Sequence, residues 1–381
     1  MTGGPLAGLR VVEMVGIGPG PFAAMVLADL GAEVIRIDRV TPSGNGIARP
    51  IDCDFAARGR PSVALDLKRA EAVDLVLDLV TGADALIEGF RPGVMERLGL
   101  GPEPCLARNP RLAYGRLTGW GQDGPMAQRA GHDLSYLALT GVLNAIGRPG
   151  QAPVPPVNLL GDYAGGSLMM VIGLLAAIHS ARATGIGQVV DAAIVDGAAL
   201  LATPLMGLIA AGIHDGGRGQ NLLDGGAPQY DSYICADGGY LAIAPIEGKF
   251  QRDLLAGLGL DPDSFPDMRD RANWPEARRR LAERIASRTR HDWAEILGPT
   301  DACAAPVLDF TEAAAHPHAA ARNSFVEVGG HVQPAPAPRF SATPAAVPTP
   351  PQSPGAGANA LHGWGIPEAR IAALRAAGAM G

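Results

Sequence analysis

Short apolar strands alternate with apolar helices along the first third of the chain. Residues 9–15 have the composition of a buried strand, residues 22–30 that of a helix ended by Gly31, and residues 32–38 that of a second strand. A strand, a helix and a strand in close succession are typical of a βαβ unit in a parallel sheet. Further strands are expected over residues 62–67, 84–89 and 111–118, with a helix over 68–80. The pattern predicts an α/β fold of the doubly wound type.

The second half of the chain has a different texture. Apolar helices are expected over residues 163–183 and 195–212, the second of them buried, with a strand over 188–194 between them. Beyond residue 226 a glycine turn joins two short strands, and charged helical segments follow. Eight prolines between Pro334 and Pro354 predict an extended linker before a last helix. The expected domains are a large one over residues 1–225, completed by residues 331–381, and a small α+β domain over residues 226–330.

The turn after the first strand contains part of a dinucleotide-binding fingerprint. Gly16 and Gly18 have the spacing of its first two glycines, and Asp38 ends the second strand. Pro21 stands where the third glycine belongs, and proline offers no N–H to a pyrophosphate. The turn is better explained as a tight strand-to-helix connection with proline at the helix start. We expect no nicotinamide or flavin cofactor.

Composition and charge narrow the classes of partner. The formal net charge of −7 argues against a nucleic-acid partner. The longest strongly apolar run, residues 168–178, is too short to span a bilayer, and the N-terminus lacks the pattern of a signal peptide. We expect a cytoplasmic protein with no membrane partner. Four cysteines without a C-x-x-C pair predict reduced thiols, with neither disulfides nor a zinc site: Cys53, Cys105, Cys235 and Cys303.

The strongest candidate for chemistry is His132, which follows Gly131 and precedes an apolar helical run. The positive end of a helix dipole disfavours the imidazolium form, and a neutral histidine is what a general base requires. Asp162, before a second apolar helix, is a possible carboxylate partner. Asp133 and Asp162 can equally be ordinary N-caps, as can Glu247. Of the other seven histidines, His179 follows an apolar helix, and four lie in polar or turn contexts: His214, His291, His331 and His362. The close pair His316 and His318 has a proline between its members and no Cys, Asp or Glu alongside, so no metal site is expected.

Arginines recur in loops that adjoin the predicted strands. An arginine fork matches the geometry of phosphate, and ligands of open parallel sheets bind at such loops. The same residues can also be ordinary surface arginines of a solvated loop. The four loop arginines are Arg39, Arg58, Arg60 and Arg91.

The pair Gly165-Gly166 lies in a helical run. Two glycines there indicate the close approach of a ligand or another backbone.

Several segments carry a family resemblance that covers about residues 5–340. The segments Val11–Glu13, Gly18–Pro21, Ala28–Ala32, Ser62–Lys68 and Arg91–Val94 resemble the family III CoA-transferases, the CaiB/BaiF group. Within that family, Gly131-His132-Asp133 with Tyr136, Asn158–Asp162, Leu223–Pro228 and Ala244–Glu247 resemble the acyl-CoA racemases. The loop 40–57 is longer than usual for the family and lacks a familiar pattern.

The resemblance implies a Rossmann-like large domain with a parallel sheet, a smaller α+β domain and an interlocked homodimer. It implies racemisation of a 2-methylacyl-CoA in fatty acid and lipid metabolism, with His132 and Asp162 as the two bases. Glu247 would orient His132 from the small domain of the other subunit. CoA enters as part of the substrate, and no separate cofactor is implied. The alternative within the family is a CoA-transferase in which Asp162 forms an acyl anhydride.

The resemblance also implies which residues contact the acyl-CoA. A loop arginine and the end of the third strand would hold the CoA moiety, together with a second arginine after the fourth strand. The residues that flank His132 would complete the substrate site. The implied set is Arg39, Leu65, Asp66, Leu67, Lys68, Arg91, Gly131, Asp133 and Tyr136.

Overall fold

The computed structural model describes residues 3–381, which divide into two compact units. The larger unit comprises the described residues up to Thr140, Val157–Leu201 and Pro317–Gly381. The smaller unit comprises Gly141–Pro156 and Ala202–His316. The predicted domain boundaries are 225/226 and 330/331, whereas the units meet at 201/202 and 316/317, and residues 141–156 also belong to the smaller unit.

The strands and helices follow one another along the chain as the alternating pattern predicts. The strands are β1 (Arg10–Met14), β2 (Glu33–Arg39), β3 (Ser62–Leu65), β4 (Ala85–Glu88), β5 (Ala113–Thr118), β6 (Gln188–Ala193), β7 (Asp231–Ile234), β8 (Tyr240–Ile243), β9 (Ala304–Pro306), β10 (Phe325–Val328) and β11 (His331–Pro334). The α-helices are α1 (Pro19–Asp29), α2 (Ala70–Thr81), α3 (Val94–Arg97), α4 (Pro102–Arg108), α5 (Asp133–Leu139), α6 (Met169–Thr184), α7 (Ile194–Leu201), α8 (Thr203–Ala210), α9 (Gly248–Gly257), α10 (Trp274–Ile285), α11 (Arg290–Leu297), α12 (Phe310–Ala315), α13 (Pro317–Ala321) and α14 (Glu368–Ala376). A π-helix covers Leu159–Leu168, and 3-10 turns cover Ile51–Cys53, Phe55–Ala57, Leu143–Ala145, Arg271–Asn273 and Ala358–Trp364.

A parallel sheet of order β3-β2-β1-β4-β5-β6 forms the centre of the larger unit. Successive side chains of a strand point to opposite faces, and β1 shows this directly. Val12 packs in a core with α2, α4 and α14, whereas Val11 packs in a second core with α1 and α6. Helices therefore cover both faces of the sheet, and the predicted doubly wound α/β class is confirmed.

The C-terminal segment lies against the edge strand β3. Leu65 forms an antiparallel bridge with Met380, and the Gly381 amide donates to the Ala64 carbonyl over 3.0 Å. These contacts satisfy backbone groups that an edge strand would otherwise leave unpaired. They also place the last residues of the chain beside the strand end where CoA binding is expected.

The apolar helix predicted over residues 163–183 begins earlier and is not α-helical throughout. Its first ten residues form the π-helix Leu159–Leu168, which continues directly into α6. By length and composition alone, the combined helix Leu159–Thr184 could cross a membrane. Half of its most apolar window is buried, and α6 packs on β5 and β6, as a core helix does. The close approach predicted at Gly165 is confirmed, since a Cβ there would lie 2.7 Å from the Ala198 amide nitrogen.

The buried helix predicted over residues 195–212 is wrong in two respects. The segment forms two helices, α7 and α8, on either side of Ala202. None of the residues of α8 is buried, and Met206 and Ile209 are 64% and 52% exposed. The apolar composition of α8 therefore does not correspond to burial by other residues of the same chain.

The smaller unit has its own antiparallel sheet and core. Its strand order is β7-β8-β9, and β7 and β8 form the predicted hairpin around the glycine turn. Helices α9, α10 and α11 pack against the sheet around the fully buried Trp293. The indole N–H of Trp293 donates to the Ile285 carbonyl over 2.8 Å, so that its polar atom is satisfied inside the core.

Two of the four loop arginines are structural, which corrects the phosphate-binding interpretation for them. Arg58 forms a buried ion pair with Asp29 over 2.6 Å, and Arg60 forms one with Glu13 over 2.7 Å. Arg58 also donates to the Gln333 side chain and the Pro334 carbonyl of the β10–β11 hairpin. The hairpin, which the proline-rich pattern did not predict, is thereby anchored to the larger unit. Neither guanidinium faces solvent, where a ligand phosphate would bind.

Candidate active site

His132 occupies the start of α5, as predicted. It is the N-cap residue with an extended backbone, φ −139° and ψ 168°. Its amide donates to the Ser135 hydroxyl oxygen over 2.9 Å, and that hydroxyl lies 2.6 Å from the His132 carbonyl oxygen as a donor. The short polar Ser135 thus fixes the backbone of the N-cap, while the His132 residue itself is exposed. An exposed imidazole on a fixed backbone can reach a substrate.

Asp162 lies in the first turn of the π-helix rather than at its N-cap. Its carboxylate accepts a hydrogen bond from the Asn158 side chain over 3.4 Å, and the residue is half-buried. Burial raises the pKa of Asp162, and the negative charge of Asp133 raises it further, against the opposing effects of Asn158 and His132. A raised pKa suits a carboxyl that must be protonated for part of a catalytic cycle. π-Helical turns often occur at functional sites.

Asp133 joins the helix of His132 to the helix of Asp162. Its Oδ1 accepts from the Asp162 amide over 2.8 Å, an N–H that the first turn of a helix leaves without an internal partner. Asp133 is therefore not the N-cap of its own helix but a cap for the neighbouring one. Gly161 makes this approach possible, because a Cβ there would lie 2.3 Å from Asp133 Oδ1. The two candidate bases are thus held by one short connection.

Tyr136 is buried and contacts Gly131, the residue before His132. Its hydroxyl donates to the Gly131 carbonyl over 2.5 Å, and its ring meets Trp120 edge to face. Both Gly119 and Gly131 are needed for the ring to fit, since a Cβ at either would lie within 2.5 Å of it. Burial, together with the negative charges of Asp162 and Asp133, raises the pKa of Tyr136 to about 12 against the opposing effect of Arg91. The phenol is therefore protonated at neutral pH, and its charged neighbours include both Asp162 and Arg91.

Gly18 also lies close to Asp162, although its sequence context predicts only a turn. Its backbone has φ 69° and ψ −109°, a conformation that side chains disfavour. A Cβ at Gly18 would lie 3.5 Å from Asp162 Oδ2. Asn158, four residues before Asp162, could have been found from its helical spacing, but nothing in the sequence connects Gly18 to a residue more than a hundred positions away.

The remaining CoA-binding candidates lie at the carboxyl ends of strands. Arg39 ends β2 directly opposite Leu65 of β3, and its side chain is exposed. Leu65 itself is buried in the core, so its side chain cannot line a ligand site there. Lys68 is exposed in the turn that follows, where its amide donates to the Asp66 side chain over 3.2 Å. Leu67, partly buried, packs on the core. Arg91 follows β4 and is exposed.

Glu247 lies in the smaller unit, immediately before α9. Its backbone is extended, as an N-cap residue requires, but its side chain makes no capping hydrogen bond. The residue is exposed. The N-capping role that the sequence also allowed for the Glu247 side chain is therefore not realised.

Comparisons with known proteins identify the family of this chain and its relatives. The model of the family described as CoA-transferase family III matches residues 6–360. The chain is 46% identical over 358 residues to the mouse protein named alpha-methylacyl-CoA racemase, covering 94% of this chain and 92% of the mouse protein. It is 45% identical to the human protein of that name, covering 89% and 87% of the two chains.

More distant relatives include enzymes that are named for a different activity. The acetyl-CoA:oxalate CoA-transferase of Acetobacter aceti is 31% identical, covering 87% of this chain and 88% of that protein. Among solved structures, a CaiB/BaiF family protein from Brucella suis superposes with a TM-score of 0.79 at 27% identity, covering 95% of this chain and 99% of that one. The chain belongs to the family III CoA-transferases.

Proposed function

We propose that the protein is a racemase of 2-methylacyl-CoA thioesters. The observation that supports this most is the pair His132 and Asp162, two proton carriers at the starts of two helices that Asp133 holds together. Close relatives in mouse and human carry the racemase name. Inversion of a carbon next to a thioester needs a base on one face and an acid on the other.

The proposed reaction moves one proton in each direction. In one direction the neutral imidazole of His132 removes the α-proton, the C–H electron pair forms an enolate with the thioester carbonyl, and the protonated Asp162 delivers a proton to the opposite face. In the other direction the ionised Asp162 is the base and the imidazolium of His132 is the acid. The pair therefore carries a single proton in its active state. The raised pKa of Asp162 supports this sharing, because it makes the neutral acid accessible.

We propose that exposed cationic side chains at the carboxyl ends of the strands bind CoA. These are Arg39, Lys68 and Arg91. Guanidinium groups bind phosphate by paired hydrogen bonds, as the polyanionic part of CoA requires. CoA is then part of the substrate and no further cofactor is assigned. The reaction places the protein in fatty acid and lipid metabolism, for which we propose a cytoplasmic location.

We further propose that the protein acts as a homodimer in which Glu247 of one subunit orients His132 of the other. The exposed apolar residues of the single chain support an additional covered surface. Within the larger unit, Leu159, Ile172 and Ile186 are each 59% exposed or more. Burial of these residues against another chain would remove their apolar surface from water. The interlocked arrangement itself is inferred from the family.

The test is incubation of the protein with one pure enantiomer of a 2-methylacyl-CoA in deuterated water. The proposal predicts loss of optical purity together with one deuterium at the α-carbon. A CoA-transferase would instead leave the α-carbon unlabelled, move CoA to an added carboxylate and form an acyl group on Asp162 that hydroxylamine traps. That second result would overturn the proposal.

A further inference from the structure

Three side chains of types that can ligate a metal ion lie together near the end of the loop 40–57. Asp52 and Cys53 lie in the 3-10 turn Ile51–Cys53, and His331 is the first residue of β11. Their ligand atoms all lie within 4.8 Å of one another, and His331 Nε2 is 3.6 Å from Asp52 Oδ2. Asp52 and Cys53 are adjacent in sequence, whereas His331 is far from both. Only the fold brings the histidine to the loop.

The β10–β11 hairpin, which carries His331, is anchored by hydrogen bonds. The β10–β11 hairpin is held by Arg58, whose guanidinium donates to Gln333 and Pro334 while paired with the buried Asp29. Arg58 is five residues beyond Cys53 in the same turn region. Arg58 therefore connects the residues that follow the loop to the hairpin, which limits how far Cys53 and His331 can separate.

The position of the His331 ring is also restrained. Its centroid lies 5.6 Å from that of Phe55, which belongs to the next 3-10 turn, Phe55–Ala57. The turn of Asp52 and Cys53 is closed by backbone hydrogen bonds, with the Cys53 amide donating to the Pro50 carbonyl over 3.0 Å. The nearby cation of Arg49 is paired with Asp54 over 2.7 Å.

The chemistry of the three donors selects the class of ion. Thiolate and imidazole suit a borderline-soft ion such as Zn²⁺, whereas Mg²⁺ and Ca²⁺ prefer oxygen ligands alone. In a tetrahedral zinc site the ligand atoms lie roughly 3.3–3.7 Å apart, so a contraction of about 1 Å would complete the set. One carboxylate and one thiolate would balance the charge of the dication. The fourth position would hold water.

We propose that Asp52, Cys53 and His331 form a zinc site that fastens the end of loop 40–57 to the β10–β11 hairpin. Binding replaces the thiol proton of Cys53 by the metal and releases that proton to solvent, so the affinity falls as the pH is lowered. The site revises the expectation of no metal site, which rested on the lack of a C-x-x-C pair and on a single close histidine pair without a further ligand beside it. It is independent of the proposed racemase reaction.

The probe is Co²⁺ added to the full-length, chelator-treated protein, with Zn²⁺ then added to displace it. We expect one Co²⁺ per chain and a thiolate-to-cobalt charge-transfer band that Zn²⁺ abolishes. The band should be lost in Cys53→Ser and its half-saturation concentration should rise at least tenfold in His331→Gln. The matched controls are Cys303→Ser, an exposed cysteine outside the cluster, and His362→Gln, a histidine paired with Glu368 without a thiol. Both controls should keep the band.

Alkylation provides a second readout that does not depend on the variants. Zn²⁺ should slow the reaction of Cys53 with iodoacetamide and leave that of Cys303 unchanged. Absence of stoichiometric Co²⁺ binding to the wild-type chain would overturn the proposal. An undiminished charge-transfer band in Cys53→Ser would overturn it equally, since the metal would then be bound elsewhere.

Discussion

The side chain of Asp133 accepts a hydrogen bond from the backbone amide of Asp162, 2.8 Å away. The residue that follows one candidate base thus holds the backbone of the other. Its second oxygen, Oδ2, is buried and has no hydrogen-bond partner in the part of the chain that the structure describes. The negative charge of Asp133 also raises the pKa of Asp162. Position and proton affinity of Asp162 are therefore both linked to Asp133.

Replacing Asp133 separates these two effects. Asp133→Asn keeps an acceptor for the Asp162 amide but removes the charge, so the pKa of Asp162 should fall. The doubly protonated, inactive pair then loses its first proton at lower pH, and the acid limb of the kcat/KM profile should move to lower pH. Asp133→Ala leaves the amide without its acceptor and should cost about 1–3 kcal/mol of unfolding free energy. pH–rate profiles and thermal denaturation of both variants check this; an unmoved acid limb in Asp133→Asn would refute it.

Gly18→Ala should affect both stability and the Asp162 carboxyl. The added Cβ would strain a backbone conformation that glycine alone adopts readily, at a cost of about 1–3 kcal/mol. It would also exclude water from Asp162 Oδ2, which raises the pKa of the carboxyl, so the acid limb should move to higher pH. Gly44→Ala is the control, because Gly44 also has a positive φ of 71° but no atom within 4 Å of its added Cβ. A shifted acid limb in the control variant would argue against the contact with Asp162.

Arg91→Ala should weaken the binding of acyl-CoA more than it slows the chemical step. Loss of one charge-assisted hydrogen bond to phosphate costs about 1.5–3 kcal/mol, or roughly a 10- to 150-fold rise in KM. The matched control is Arg111→Ala, since Arg111 is exposed just before β5, at the opposite edge of the sheet. Steady-state kinetics with a single acyl-CoA give both parameters. Equal KM values for the two variants would remove Arg91 from the CoA site.

Co-expression of two inactive variants tests the assignment of Glu247 to the other subunit's site. His132→Ala and Glu247→Gln should each be nearly inactive alone, because one lacks a base and the other its orienting carboxylate. A mixed dimer would contain one intact site, so the co-expressed pair should recover activity. In the control pair, His132→Ala with Asp162→Asn, both residues contribute to the site of their own subunit. Each site of the mixed dimer then lacks one base, so this pair should recover no activity. Failure of the first pair, with dimers shown by light scattering, would place Glu247 in its own subunit's site or outside it.

The fold could be predicted from periodicity where the pattern has one meaning. Alternating strands and helices gave the doubly wound sheet, and the glycine before His132 marked the start of a helix. The π-helix could not be predicted, because the same apolar residues suit an α-helix. The exposure of α8 could not be predicted either, because an apolar sequence indicates burial without showing whether the same chain or another molecule buries it.

Long-range pairings explain the remaining differences in the candidate site. Arg58 resembles a ligand-binding loop arginine until its partner Asp29 is known. Asp133 resembles a local cap, although the amide that it caps belongs to the helix of Asp162. In both cases the side chain alone fits two roles, and only the tertiary contact distinguishes them.

The most direct test of the account is deuterium incorporation measured separately from each pure enantiomer of a 2-methylacyl-CoA, with His132→Ala and Asp162→Asn. Each variant lacks one base, so each should lose exchange from one enantiomer and keep exchange without inversion from the other. The enantiomer that loses exchange should differ between the two variants. Equal loss from both enantiomers in either variant, or unchanged exchange in both, would contradict the two-base assignment.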